Sequence, residues 1–219
     1  MALNKLKYNS INVTPAASTA IRFNSGANGF ETASAGGSLV KISSTTLSSA
    51  AASISFTSGL TSTYKEYVFI FNNIHPATNL QGFLFNGSID GGSNYNVTKT
   101  ASLFRARLKE DDSNEEVTYD NSRDSTQSTS GQYLNALLGN ENDSSLSGVL
   151  HLFNPASTTF TKHFLSITNE MSLYGDSTVG PHNVFAAGYF NTTSAIDAVN
   201  FAMESGNIDA GTITLYGVS

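Results

Sequence analysis

From Leu39 onward, apolar and polar residues alternate along most of the chain with a period of two. That period marks half-buried strands, whose successive side chains point to opposite faces of a sheet. It predicts strands at 39–43, 53–57, 65–74, 81–89, 95–104, 132–138, 146–153, 160–168, 184–190, 197–203 and 211–218. Clusters of Gly, Pro, Asn, Asp and Ser separate them as turns. In the stretch Gly211–Ser219, Ile213, Leu215 and Gly217 fall on one face and Thr212, Thr214 and Tyr216 on the other, so it reads as an inner strand.

Three local patterns refine this picture. Lys65–Phe71 is apolar on both faces, with Tyr67, Phe69 and Phe71 set against Val68 and Ile70. Such a strand is covered on both sides, and one cover could be a neighbouring subunit. Phe83–Ile89, Asp90–Asn94 and Tyr95–Lys99 read as a hairpin whose adjacent glycines supply positive φ. His75-Pro76 ends the strand before it, since proline cannot donate to a ladder. Helical patterns are confined to one or two turns at Gln132–Leu138 and Thr193–Asp197. The polar stretch opened by Glu110–Glu116 runs to about Gly131 and reads as an excursion, either a solvated loop or a contact for a cation or partner. The expected fold is all-β: an antiparallel β-sandwich of the jelly-roll type, residues 38–219.

Residues 1–37 differ. Their apolar positions are irregular, their charges (Lys5, Lys7, Arg22, Glu31) are net positive, and they end in Ala33-Ser-Ala-Gly-Gly37, a flexible joint. They read as an extended N-terminal arm, packed either on its own domain or on another subunit. Leu3, Leu6, Tyr8, Phe23 and Phe30 of the arm, with Tyr67, Phe69 and Phe71 of the body, are the candidate subunit-interface residues.

Composition narrows the function. Only 13% of residues are charged, and the net charge is −6. That argues against nucleic acid, which needs a basic stripe, and against an anionic membrane surface. No apolar run approaches the ~18 residues of a membrane span, and the first ten residues lack the apolar core of a signal peptide. The expectation is a protein made in a cytoplasm. With no cysteine there is no disulfide and no thiolate chemistry.

Candidate chemistry is sparse. His75, His151, His163 and His182 form no short-spaced metal pattern, although His151 and His163 would approach if their strands paired. Gly175-Asp-Ser-Thr178 echoes an esterase nucleophile block but lacks the strand-to-helix context and a downstream Asp-x-x-His. Most carboxylates fall in loops, away from the rigid paired geometry of a glycosidase. The expectation is therefore no enzyme, no cofactor and no bound metal.

Gly59–Pro76, Ser88–Tyr95 and Gly211–Gly217, taken together, resemble virion structural proteins of tailed phages, the cyanophage and pelagiphage type. Met1–Ser10, Arg22–Ser25 and Gly29–Thr32 look like the short arm that precedes such domains, and Gly148–Pro155 and Asn191–Ala195 fit the same setting. The resemblance covers nearly the whole chain. It implies a β-sandwich on the particle, other virion proteins as partners and a homo-oligomer, usually a trimer. It brings no catalytic residues. The leading expectation is a tail-fibre or tail-associated module that is anchored by its arm and contacts the host surface, with a surface glycan as a potential ligand. A head-decoration protein is the alternative, and a glycan depolymerase the enzymatic one. A surface-binding module would present an aromatic or Asn/Asp-rich groove, a decoration protein a broad flat apolar contact.

Overall fold

A computed structural model describes residues 19–23, 25, 26, 28–34, 38–135, 137–173 and 179–219. The chain divides into two compact units, Met1–Val40 with Ser219, and Lys41–Val218.

In the first unit, β1 (Thr19–Phe23) and β2 (Phe30–Ser34) form an antiparallel pair. Phe23 faces Phe30 in register and the rings stack at 4.9 Å. One step along, Arg22 Nε donates to Glu31 Oε1 at 2.9 Å. This part of the expected extended arm folds back on itself. Short cross-strand pairs of this kind, aromatic on aromatic and opposite charge on opposite charge, favour a hairpin.

The strands that follow are, in chain order, β3 (Leu39–Thr46), β4 (Ser53–Phe56), β5 (Glu66–Pro76), β6 (Phe83–Ser88), β7 (Lys99–Leu108), β8 (Glu115–Tyr119) and β9 (Ser125–Ser128). They continue with β10 (Gln132–Tyr133), β11 (Leu146–Phe153), β12 (Lys162–Leu173), β13 (Val179–Phe190), β14 (Ala198–Met203) and β15 (Ile208–Val218). The fold is all-β with antiparallel sheets, and the described residues contain no helix. A four-stranded sheet has the order β10-β6-β14-β4. The larger sheet has the order β3-β15-β5-β11-β12-β13-β7-β8, with β9 also paired to β7.

The sheets share one core. Phe201 of β14 stands at its centre, with ring centroids 5.2 Å from both Phe69 and Phe71 of β5 and 5.8 Å from Phe83 of β6. Mostly edge-to-face packing of these rings gains beyond the area they bury. Gly87 of β6 is small for a reason: a Cβ there would meet the Phe190 ring at 2.8 Å.

Several expectations are corrected. Tyr67, Phe69 and Phe71 lie wholly inside this core and leave no surface for a second subunit. The Tyr67 hydroxyl is satisfied internally, donating to the Thr61 carbonyl at 2.8 Å. On the other face of β5, Val68 is flanked in register by His151 and Tyr216. Phe83–Lys99 is no hairpin, because β6 pairs with β10 and β14 and β7 lies in the other sheet. The glycines do turn the chain there, Gly91 at φ 72° and Gly92 at φ 87°. Asp90 ties the turn by accepting from Asn94, and that bond, with one from Ser88, holds its carboxyl down at about 2. The polar stretch after residue 109 is not a loose excursion. Lys109 and Asn114 close a turn between β7 and β8, and β9 returns to β7. Gln132–Leu138 and Thr193–Asp197 hold no helical turn among their described residues.

Candidate interaction surface

Five strands, β7, β8, β9, β12 and β13, extend the large sheet beyond β11, and their buried side carries polar and charged side chains beside a small apolar cluster of Leu103, Val184 and Ala186. On β12 the inward positions are Lys162, Phe164, Ser166, Thr168 and Glu170, all buried. The outward positions include Leu165, 37% exposed, and Ile167, 41% exposed. β7 repeats the scheme, with Lys99, Arg105 and Arg107 on the inward side and Phe104 outward. Alternation separates two faces, and on β12 most of the polar side chains are on the inner one.

The buried polar groups have explicit partners, many of them from the segment 120–137. Glu170 accepts from Asn135 Nδ2 at 2.6 Å and from the Leu137 backbone N–H at 3.1 Å, and His182 Nδ1 lies 3.3 Å away. Thr168 donates to the Leu134 carbonyl. Asp120 bridges Arg105 at 3.2 Å and Arg123 at 2.8 Å. Burial alone would raise the Asp120 carboxyl, but the Ser122 hydroxyl and the two guanidinium groups lower it below the ordinary range. Lys99 donates to Asn86 Oδ1 at 2.9 Å and to the Ser130 carbonyl, and burial lowers its ammonium to about 8. Lys162 donates to the Phe160 and Thr192 carbonyls and is lowered by the same cause. Buried charges persist only when hydrogen-bonded in this way.

The outer face is built from register. Ile70, Val149, Ile167, Phe185, Phe104 and Tyr119 stand side by side on six neighbouring strands. At the usual strand spacing this row runs about 24 Å. Phe104 and Phe185 stack at 4.9 Å. Phe104 is 45%, Tyr119 58% and Val117, one row further on, 77% exposed. Two rows away on the other side, His163, Tyr189 and Thr100 are in register. Between these rows lie Leu165, Ala187 and Ser102. Small side chains at Ala187 and Ser102 leave a trough of about 320 Å³ that Tyr119, Asp124, Thr126 and Tyr189 also line. The Tyr119 hydroxyl donates to Asp124 Oδ2 at 2.8 Å, and this bond raises the phenol above its ordinary range.

A second concavity, about 470 Å³, lies where β5 and β15 are bulged, beside residues 142–145. His75 closes its floor, Nδ1 2.6 Å from Asp209 Oδ1 and Nε2 3.1 Å from the Glu141 carbonyl. The ring is thus held from both nitrogens, by a carboxylate on one side and a backbone carbonyl on the other.

The sequence-predicted residues are scattered. Phe23, 67% exposed, and Phe30, 49% exposed, remain on the surface of the hairpin. Leu3, Leu6 and Tyr8 lie outside the described residues, as does the Gly175–Thr178 block. Strands β11 and β12 do pair, yet His151 turns to Glu66 at 2.6 Å while His163 lies against Tyr189. No group of three or more metal-binding side chains forms among the described residues. The exposed residues Phe104, Val117, Tyr119, Ile167 and Tyr189 were not singled out from sequence. Their signal was the opposition of Leu165 and Ile167 to Ser166, Thr168 and Glu170 on one strand. No protein-family model, curated protein or solved structure matches the chain.

Proposed function

We propose that the protein is a non-enzymatic structural module of a tailed-phage virion that contacts the host surface through the outer face of its large sheet. The observation that carries the contact surface is the five-stranded extension, which buries Lys99, Lys162 and Glu170 while leaving Phe104, Tyr119, Ile167 and Val117 in solvent. Contiguous exposed apolar surface on a folded chain marks an interaction site. The phage setting rests on the resemblance of Gly59–Pro76, Ser88–Tyr95 and Gly211–Gly217.

The jelly-roll reading is supported by strand order. Leaving aside the extension, eight strands remain: β3, β4, β5, β6, β10, β11, β14 and β15. Numbered one to eight along the chain, they give 1-8-3-6 in the large sheet and 5-4-7-2 in the small one. That is the order of an antiparallel ribbon rolled up on itself. The anchoring role belongs to the N-terminal unit, where Phe23 and Phe30 offer an exposed aromatic pair.

Labelled full-length protein should bind cells of a susceptible strain, and Phe104→Asp should weaken that binding at least tenfold. Equal binding by both proteins overturns the reading of the outer face. The breadth of the row from Ile70 to Tyr119, across six strands, favours a second reading, a head-decoration protein. A map of the intact particle separates the two: density on the shell selects decoration, density on the tail selects host contact.

A further inference from the structure

We infer that the trough lined by Tyr119 and Tyr189 is a binding site for a neutral surface polysaccharide, one sugar ring at a time. The proposal rests on the reading of the outer face as the contact surface and names what that face would hold.

Two aromatic side chains line the trough, Tyr189 on β13 and Tyr119 on β8, two rows apart on the sheet. Between them the floor is Ala187 and, across the pair, Ser102. The result is a shallow channel with aromatic rings on both sides and no bulky residue beneath. Sugar rings present an apolar C–H face and a rim of hydroxyls. Aromatic rings suit the first, being large, rigid and amphipathic. Hydroxyls need groups that both donate and accept, and at one end of the channel Tyr119, Asp124 and Thr126 provide them. Asp124 accepts the Tyr119 hydroxyl through Oδ2, and that bond fixes the carboxylate in place before any ligand arrives. A carboxylate held in this way accepts two neighbouring sugar hydroxyls at little further ordering cost.

Charge selects the class of sugar. Among the residues that line the trough there is one carboxylate and no cationic side chain. The whole chain carries a net charge of −6. A sialylated, uronic or sulfated chain would be repelled by both, so the ligand is neutral. An apolar peptide would suit the rings but leave Asp124 desolvated beside it.

The test is an array of neutral and acidic oligosaccharides probed with labelled full-length protein. The expected result is retention of neutral chains and not of acidic ones. Tyr189→Ala and Asp124→Asn should each lower the signal at least tenfold, while Ile89→Ser, an exposed change on another part of the surface, should leave it unchanged. Should Tyr189→Ala fail to fold, Ala187→Trp fills the channel from an exposed backbone position and should abolish retention. Wild-type protein that retains no neutral glycan, that prefers acidic ones, or that binds equally well with the channel altered overturns the proposal. Wild-type protein that binds cells and loses this with Phe104→Asp, yet retains no glycan, overturns the sugar site and leaves the contact face standing.

Discussion

Lys99 concentrates the energetics of this molecule in one side chain. It is completely buried, three oxygens receive its ammonium, and its folded-state value is lowered to about 8 from 10.5 by burial. The lowered value fixes the sign of a pH effect. Below pH 8 both folded and unfolded chains hold the proton and the full cost of burying the charge is present. Between pH 8 and 10.5 the folded chain releases the proton first, so stability rises with pH by up to about 3 kcal/mol. Denaturation of wild type against Lys99→Met across that window should show the climb only in wild type; a constant difference between the two would refute it. Leu215, also fully buried, makes the apolar counterpart. Leu215→Ala should cost about 2–5 kcal/mol in chemical denaturation, as core truncations do, and an unchanged midpoint would place β15 at the periphery. Gly211 sits at φ 124° where the β5–β15 ladder shifts register, and a Cβ would meet the Asn73 carbonyl at 2.8 Å. Only glycine adopts that conformation without strain.

At the scale of the element, β12 has polar side chains buried on one face and apolar ones exposed on the other, and can be tested from both sides. Ile167→Thr, on the outer face, should change stability by no more than about 0.5 kcal/mol, the usual range for a surface site. Glu170→Ala removes the acceptor for Asn135 and Leu137 and the carboxylate beside His182, and should cost about 3–5 kcal/mol. Should the two costs be reversed in denaturant titrations, Ile167 would be the core side. The same strand shows where sequence reasoning succeeds and stops. β11 and β14 were legible almost to the residue, because Leu150 and Leu152, and Val199 and Phe201, alternate with less buried positions and face the core. On β12 the alternation was equally clear, but a period of two says that faces differ and not which one is inside. That is decided by the segment 120–137, whose amides and carbonyls arrive from elsewhere in the chain. β8 and β9 were missed for another reason: Glu115–Tyr119 and Ser125–Ser128 are polar enough to resemble loop, and β7 alone holds them as strands.

For the whole molecule, association remains the property that most constrains the proposed role. Tyr67, Phe69 and Phe71 are spent inside the core, so a trimer interface has to draw on other surface. In the proposed arrangement the N-terminal unit supplies it, with Phe23 and Phe30 exposed and a net positive charge in residues 1–37 against a negative body. Closed symmetry is the usual outcome for such contacts. Native mass measurement at micromolar concentration should find a trimer for the full chain and a folded monomer once residues 1–37 are removed. A truncated protein that stays trimeric would shift the interface to the body, and a full-length monomer would remove the trimer altogether.

The position of β15 between β3 and β5 has a consequence in time. Ser44 and Thr214, which share a hydrogen bond across that pairing, are 170 residues apart in the chain. On a ribosome adding roughly 5–20 residues per second, β5 emerges about 7–26 s before β15 begins to follow it. Throughout that interval the strand bearing Tyr67, Phe69 and Phe71 has an open edge, the condition under which chains pair with one another instead of with themselves. Yield in a host cell should therefore depend on how long nascent chains are sheltered. A holding chaperone should raise the soluble fraction more than any substitution on the finished surface.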